Sequence, residues 1–600
     1  MKIRKMAAPF AVLMSASLVL AACGTSEEPE QNETTGGTNQ GEADTTGKVD
    51  LGDVTTKEDT IYYSLGGEEW LGFNGNTPET YSTYNSVINE RLIEGFMYYG
   101  TDGTVYQNEQ FGNFRLVSED PMVVEYTIND NVTWSDGEPV AYEDYLLEWA
   151  AQAIADGEDE EGNPKPLFNH VGGLDFGGRT PAGPQGEPGG KTFTFEYENP
   201  YPDYQLQVNL AFPAHIVAEQ AGMTLDELVT AIQDKDVEAL RPAAKFWNEG
   251  WLSPNPGELP DEAIVPVNGP YKLSSWERGQ SVTLEANENY WGTPPATKTL
   301  VYRFVAPEAQ VQALRNGDLH VIEPQADVDT VAQIGQIGDT VTMATGQSLT
   351  WEHLDFNFID GNEMGANLAL REAFAMCVPR QDIVDKLIKP VDSEAVVMNA
   401  REVFPFQANY DEVVSEAYDG RYDEVDIDGA KAKLAEAGVE TPFTVRLGYS
   451  QPNARRDAEF QLIQESCNKA GFDVQNVAGP DFFSKTLPNG DYDVAMYAWA
   501  GSGQVVSGQN IYSTKGQQNY GKYSSEAIDI AWEALSSTLD TSQQLEQVKV
   551  IEKNLWDDLY GIPLFAHPGV TAYDSSLQNV RRTATQSTVA WNAEQWVRAE

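Results

Sequence analysis

The first residues that could carry chemistry form the tetrapeptide Leu20-Ala21-Ala22-Cys23, because a cysteine thiol can form a thioether with a diacylglycerol. The tetrapeptide ends an apolar stretch, Met6–Leu20, which follows three basic residues within the first five positions. A basic start, a short apolar segment and small residues before a cleavage point are typical of a lipoprotein signal peptide. We expect residues 1–22 to be removed and Cys23 to be lipidated. The alternative is an ordinary secretory signal with a chance cysteine.

Two further cysteines, Cys377 and Cys467, lie in segments with helical patterns. An even number of cysteines in an oxidising compartment favours a disulfide. Two buried free thiols are the alternative.

Catalytic motifs are poorly represented. The chain has no Gly-x-Ser-x-Gly, His-Glu-x-x-His or Walker A sequence, and its five histidines make a His-rich metal site implausible. Ser466 and Lys469 fit a Ser-x-x-Lys pattern but fall mid-helix, without the partner motifs of acyl-serine enzymes. The acidic run from Glu424 resembles the start of a calcium loop, yet its twelfth position is Ala435 rather than a bidentate Glu. We therefore predict no enzymatic activity, no cofactor and no metal site.

The charge of the chain excludes other classes of partner. With 38 basic and 93 acidic residues among 600, the net charge is −55. Nucleic acids and anionic membrane surfaces both require clustered Lys and Arg, and the sequence contains no long basic run. From Cys23 to Lys57 the chain is acidic and nearly free of apolar residues, which predicts a flexible tether.

The elements that must position any site alternate between helical and strand patterns. Strands are predicted at Thr60–Leu65, Met122–Ile128 and Val494–Trp499, and a capping box at Thr224 and Glu227 opens a helix over Met223–Trp247. Such alternation favours α/β packing on a partly parallel sheet.

Several short landmarks follow one another in a fixed order. They are Trp134–Pro139, Asn268–Tyr271, Asn287–Trp291, Leu314–Asp318, Leu354–Asn357, Gly490–Val494 and Ile562–Phe565. Each alone is only a turn or a cap. Together they resemble the large extracytoplasmic solute-binding proteins of ABC importers, specifically the oligopeptide- and dipeptide-binding type, solute-binding family 5. The resemblance extends from about Thr60 to Asn579.

The resemblance implies an α/β, two-lobed periplasmic-binding-protein-like fold with a hinge and an extra inserted subdomain. Lobe one would comprise residues 58–317 plus 563–600, with about 81–190 as the inserted subdomain, and lobe two residues 318–562. The crossing strands would fall near Leu319–Glu323 and Pro563–His567. Closure of the lobes around a solute is the expected mechanism.

The resemblance also implies ligand-binding residues, because peptides bind this family as extended strands through main-chain hydrogen bonds. The lobe-two segment would be Met496-Tyr497-Ala498-Trp499-Ala500, continuing through Gly501 and Ser502. The lobe-one segment would be Tyr81-Ser82-Thr83, and Asn268 would face the cleft. Of Tyr497 and Trp499, we expect one ring in the core and one in the cleft.

One position departs from the family pattern. Peptide-binding members place an Asp after the lobe-two strand, where it pairs with the free amine of the peptide. Here the aligned residue is Ser502, and no acid follows until Glu526. We expect a ligand that lacks a free amine at this point or extends past it, unless Glu68 or Glu69 takes over the role.

The function implied is that of a monomeric, lipid-anchored protein that captures peptides or peptide-like solutes and delivers them to an ABC permease. It would lie on the extracytoplasmic face of the cytoplasmic membrane. A surface-tethered receptor for a peptide signal, and a binder of another solute such as an oligosaccharide, remain open on the same fold. Ligand identity and length are left undetermined by the sequence.

Overall fold

The computed structural model describes residues 46–158, 162–253, 255, 257–501 and 504–599. Its first part, up to residue 303, is rich in strands. The strands are β1 (Lys57–Ser64), β2 (Met97–Tyr99), β3 (Val105–Gln107), β4 (Gly112–Glu119), β5 (Met122–Ile128), β6 (Ala155–Glu158), β7 (Pro164–Pro166), β8 (Gln185–Gly186), β9 (Thr192–Tyr197), β10 (Tyr271–Glu277), β11 (Ser281–Ala286) and β12 (Thr297–Arg303). The helices are α1 (Thr83–Asn89), α2 (Tyr142–Ala151), α3 (Asp175–Arg179), α4 (Tyr204–Gln207), α5 (Ala214–Ala221), α6 (Leu225–Gln233) and α7 (Val237–Glu249).

The remainder of the chain alternates more regularly. The helices are α8 (Pro307–Asn316), α9 (Val328–Gly335), α10 (Glu363–Ala366), α11 (Leu368–Cys377), α12 (Arg380–Ile383), α13 (Tyr410–Ala417), α14 (Ile427–Ala437), α15 (Ala454–Ala470), α16 (Leu487–Asn489), α17 (Gln509–Tyr512), α18 (Glu526–Ser536) and α19 (Thr541–Asp557). The strands are β13 (Val321–Ile322), β14 (Val341–Phe356), β15 (Phe443–Gly448), β16 (Phe472–Asn476), β17 (Val494–Ala500), β18 (Gly561–Asp574), β19 (Leu577–Gln578) and β20 (Val597–Arg598). Short 3-10 helices occupy Glu262–Ile264 and Val589–Gln595, and π-helical turns occupy Val384–Ile388 and Phe482–Thr486.

One mixed sheet of ten strands joins the two parts, in the order β10-β11-β12-β1-β13-β18-β14-β17-β15-β16. β1 runs parallel to β12 and β13, whereas the central neighbours β13, β18, β14 and β17 pair antiparallel. A separate four-stranded sheet, β4-β5-β9-β8, lies within residues 112–197. The mixed α/β architecture agrees with the predicted fold class.

Two large hydrophobic cores lie on either side of the central strands. One gathers buried residues from 61–321 and 577–596, and the other gathers residues 354–565. A small core that includes Val311, Leu314, Val570 and Ala572 packs α8 against β18 between them. The long strands β14 and β18 therefore connect two separately packed regions.

Local signals in the sequence set many element ends. Thr224 and Glu227 form the predicted capping box of α6, with reciprocal bonds of 3.2 and 2.8 Å. The predicted single helix over Met223–Trp247 is nevertheless two helices, because Lys235 adopts a left-handed conformation with φ of 52° and Asp236 caps a new one. The acidic segment Ala155–Pro166 contains the paired strands β6 and β7.

The predicted tether is corrected at its C-terminal end. Residues 46–57 are packed on the protein: Lys48 forms an ion pair of 2.8 Å with Glu594, and Val49 exchanges backbone bonds with the Gln595 amide. Residues 23–45 of the predicted tether, and the signal peptide, lie outside the described residues.

Candidate functional site

Strand β17 has one paired edge and one open edge. All seven of its residues pair with β14, but on its other side it pairs with β15 only at Val494 and Ala495. Within the described ranges no strand pairs with the second edge beyond Ala495. Strand edges of this kind present main-chain donors and acceptors to an incoming chain.

The orientation of the backbone shows which groups lie on the open edge. Gly501 donates its N–H to the carbonyl of Leu349, which marks this residue pair as hydrogen-bonded. Hydrogen-bonded and non-hydrogen-bonded pairs alternate along an antiparallel ladder. Ala498 and Ala500 therefore direct their N–H and C=O groups away from β14, towards the open edge. Ala498 is half-buried and Ala500 is exposed.

Tyr497 and Trp499 share one face of β17, since residues two apart in a strand point the same way. Their rings are 5.3 Å apart, and the Tyr497 hydroxyl donates to Asp355 at 2.8 Å. Tyr497 packs in a hydrophobic core, as expected for one of the two rings, and the cleft position of Trp499 stays a prediction. Tyr497 is buried and Trp499 is half-buried.

Trp499 has little ring surface free for a ligand. Its ring is parallel to those of His353 and Tyr520, at centroid distances of 6.2 and 6.1 Å. Trp499 Nε1 and His353 Nε2 are both buried without a hydrogen-bond partner among the described residues. Two unpaired ring nitrogens thus lie beside β17, both withdrawn from solvent.

The opposite face of β17 lies beside a buried ionic cluster, which we name the Glu352 cluster: Glu352, Arg455, Arg456, Glu459 and His567. Glu352, which pairs with Ala498, bonds to Arg456 at 2.6 Å, Arg455 at 2.9 Å and His567 at 2.7 Å. Burial alone would raise the pKa of Glu352, but Arg456, His567 and Arg455 hold it well below its usual range.

Burial acts differently on the other members of the Glu352 cluster. Burial and the nearby Arg455 lower the pKa of His567 to about 4. Burial and the charge of Glu352 raise the pKa of Glu459 to about 8. The cluster thus holds the guanidinium groups of Arg455 and Arg456 against two carboxylates, with Glu352 ionised and Glu459 bonded to Arg455 at 3.0 Å.

The predicted lobe-one residues lie elsewhere in the fold. Ser82 is extended, with φ of −155° and ψ of 154°, and its hydroxyl caps α1, which begins at Thr83. Because Thr83 is already helical, any extended pairing segment ends at Ser82. Tyr81 and Ser82 are both half-buried. Asn268 is buried, and its side chain accepts from Glu94 N–H at 2.7 Å and donates to Glu94 O at 3.2 Å. A ligand contact with this side chain would require those bonds to break.

The loop after β17 is bonded to a distant part of the chain. Asp203, which is 2% exposed, accepts from the backbone N–H groups of Val505 at 2.7 Å and Val506 at 3.2 Å. Burial raises the pKa of Asp203 to about 6, although these two bonds oppose the increase. The contact joins a residue of the first core region to the loop that follows the candidate strand.

Ser502 and Cys23 lie outside the described residues. A carboxylate is nonetheless close to the loop: a methyl group added at Gly508 would lie 2.2 Å from Glu402 Oε1. Burial and the charge of Glu552 raise the pKa of Glu402 to about 8. Of the two acids proposed from the sequence, Glu69 accepts from Trp276 Nε1 at 3.1 Å, and Glu68 is exposed. Glu402 was not predicted, because it is distant from Ser502 in the chain and no local pattern connects the two.

Cys377 and Cys467 form a disulfide that joins α11 to α15, with both residues fully buried. In the part of the chain that the structure describes, no group of three or more His, Cys, Asp or Glu side chains is arranged to hold a metal ion. The same residues include no helix with the length and apolarity needed to cross a membrane.

Comparison with known proteins identifies the architecture. The model of "Bacterial extracellular solute-binding proteins, family 5 Middle" matches residues 115–521. The chain belongs to this family. Its structure superposes on the periplasmic EDTA-binding protein EppA with a TM-score of 0.78 at 20% identity, covering 94% of this chain and 100% of that one.

Two curated relatives span nearly the whole solute-binding protein. The "Uncharacterized lipoprotein Rv2585c" of Mycobacterium tuberculosis is 27% identical over 88% of this chain and 91% of its own length. The "Oligopeptide-binding protein OppA" of the same species is 25% identical over 86% of this chain and 80% of its own length. Family 5 consists of solute-binding proteins rather than enzymes, so the predicted family and non-enzymatic class are both confirmed.

Proposed function

We propose that this family 5 protein is a lipid-anchored solute-binding protein that encloses a peptide or peptide-like solute between two lobes and delivers it to an ABC permease. Lobe one would comprise residues 58–317 and 563–600, with 81–190 as an inserted subdomain, and lobe two residues 318–562. The two separate hydrophobic cores support this division. The long strands β14 and β18 would act as the hinge. Of the two crossings implied by the resemblance, Pro563–His567 lies in β18, whereas Leu319–Glu323 precedes β14 and joins the first core through Val321.

The open edge of β17 is the observation on which the proposal rests. Ala498 and Ala500 direct unpaired backbone groups away from β14, within the described ranges. An extended peptide can add to such an edge as a further strand, gaining affinity from main-chain hydrogen bonds without requiring particular side chains. The name of the relative OppA, an oligopeptide-binding protein, is consistent with this ligand class.

Backbone methylation of the ligand tests main-chain pairing directly. We expect an alanine pentapeptide to bind in isothermal titration calorimetry and its fully N-methylated analogue to bind at least tenfold more weakly, because methylation removes the donors. Equal affinities would contradict pairing at the edge. Failure of peptides of several lengths to bind would contradict the peptide proposal itself.

A proline at the edge gives the complementary test on the protein. Ala500→Pro removes one outward N–H at the end of the strand, where proline is tolerated. We expect a loss of about two- to twelvefold in affinity, equivalent to one hydrogen bond of about 0.5–1.5 kcal/mol. Ala500→Ser keeps the N–H and serves as the matched control. A similar loss in both variants would indicate a side-chain effect instead.

Anchoring and delivery need separate measurements in cells. Cys23→Ser should release the protein into the medium or leave an uncleaved precursor, whereas unchanged mass and membrane association would contradict lipidation. Uptake of a labelled pentapeptide by cells that lack the protein distinguishes delivery to a permease from peptide signalling. Import predicts that these cells take up less peptide than the wild type, whereas a signalling receptor predicts unchanged uptake.

A further inference from the structure

Arg582 lies across two facing glycines of the central sheet. Gly346 of β14 pairs with Gly569 of β18. A methyl group added at Gly569 would lie 2.2 Å from Arg582 Nη2, and one added at Gly346 would lie 3.1 Å from Nη1. The guanidinium thus occupies the space that side chains at these two positions would fill.

Arg582 has no hydrogen bond or ion pair with any described residue. Burial lowers the pKa of Arg582, and the charges of Glu323 and Asp392 oppose this decrease only in part. Neither acid forms a hydrogen bond with Arg582. Glu323 is already used, since it accepts from Val589 N–H at 2.9 Å and from Tyr63 Oη at 3.3 Å. The neighbouring Arg581, by contrast, donates to the Gly47 carbonyl at 2.6 Å. The half-buried guanidinium is thus attracted by two carboxylates but bonded to neither, so its donors remain free for a further acceptor.

The guanidinium shares a sheet face with the open edge of β17. His567, two residues before Gly569 on β18, contacts Glu352, and Glu352 pairs with Ala498. Residues two apart, and residues directly opposite in an antiparallel pair, have side chains on the same face. From Gly346 to Thr350, the partner of Ala500, is four residues. Because a register shift lies between Gln347 and Trp351, these four residues span less than the roughly 13 Å of a regular strand.

We propose that Arg582 binds an anionic group, such as a carboxylate, of the solute whose main chain pairs with Ala498 and Ala500. The inference rests on the proposed function and specifies its ligand class: an extended solute that carries an anionic group beyond its main-chain contacts. A guanidinium suits this task because its planar donors can form two parallel bonds with a carboxylate.

A matched set of peptides and variants tests the proposal. The probes are alanine pentapeptide with a free C-terminal carboxylate, the same peptide as its C-terminal amide, and citrate as a non-peptide anion. Titration calorimetry with the full chain should show that the wild type prefers the acid by roughly ten- to 100-fold, the range for a hydrogen bond to a charged group. Arg582→Gln should bind acid and amide equally, whereas Arg581→Gln should keep the preference.

Stability provides an independent readout. Because Arg582 makes no hydrogen bond to any described residue and only the charges of Glu323 and Asp392 attract it, Arg582→Gln without ligand should melt close to the wild-type temperature. Arg582→Lys keeps the charge but not the paired donors, so it should retain a weaker preference for the acid, and it replaces Arg582→Gln if that variant misfolds.

Each remaining outcome is decisive. Equal binding of acid and amide by the wild type, or a preference that survives Arg582→Gln, would overturn the inference and leave the peptide proposal intact. Citrate binding that depends on Arg582, without peptide binding, would support the anion site and contradict the peptide proposal. Binding of neither the acid peptide nor citrate would overturn the inference.

Discussion

Asp203 shows how one buried carboxylate can connect distant segments. Its oxygens accept from two adjacent N–H groups of the loop after β17 while its side chain is withdrawn from water. Removing an ionised carboxylate from water is costly unless it is fully paired, and the two backbone bonds compensate only in part. The pKa of Asp203 is accordingly raised to about 6.

The raised pKa predicts a specific pH dependence. Between about pH 4 and pH 6 the native state holds a proton on Asp203 that the unfolded chain has lost, so stability falls as pH rises through this window. Relative to Asp203→Asn, the wild type should lose as much as about 3 kcal/mol between pH 4 and pH 7. Urea unfolding across this range measures the difference. Asp428→Asn, at a fully exposed carboxylate on α14, is the control. A difference between wild type and Asp203→Asn that does not vary with pH would contradict the assignment.

At the scale of elements, sequence patterns predicted what is local and missed what is distant. Strand β5 has the predicted bounds, and Thr224 caps α6 as expected, because each signal lies within or beside the element. The 16-residue strand β14 was missed since its first half contains Thr, Gly and Gln without a clear alternation. The candidate site was predicted least completely. Asp203 and Glu402 contact or approach the loop after β17 but lie 302 and about 100 residues before it in the chain, which no local pattern can indicate.

The disulfide between α11 and α15 was the distant contact that the sequence did suggest, through the parity of the cysteines. It joins residues 90 apart within the second hydrophobic core. Cross-links that close loops of this length restrict the unfolded chain, and removing one typically costs about 2–5 kcal/mol. We expect the double variant Cys377→Ala/Cys467→Ala to lose stability in this range, measured by urea unfolding.

Reductant supplies the control for this prediction. It should destabilise the wild type and leave the double variant unchanged, because only the wild type has a bond to reduce. If reductant has no effect on unfolded wild-type protein either, the two thiols are not joined and the pairing is wrong.

For the whole molecule, the central question is how two packed regions move about the strands that join them. The large cores share no buried residue, and β14 and β18 pass between them. The Asp203 contact with Val505 and Val506 connects the regions away from these strands, beside the candidate site. Such a contact is expected in a closed arrangement, since separation of the regions would break it. A solute that touches both regions would favour closure through its greater affinity for that state.

Closure predicts that ligand changes both size and stability. A peptide at 100 times its Kd should stabilise the protein by about 2.7 kcal/mol and raise its melting temperature. Solution scattering should show a smaller radius of gyration in the same sample, because the two regions approach. Asp203→Ala should weaken closure, so that bound peptide dissociates faster while its main-chain contacts at β17 remain. A peptide that binds tightly without changing the radius of gyration, in wild type and variant alike, would argue for a rigid cleft. In that case the Asp203 contact would be permanent, and its loss would lower stability without changing the dissociation rate.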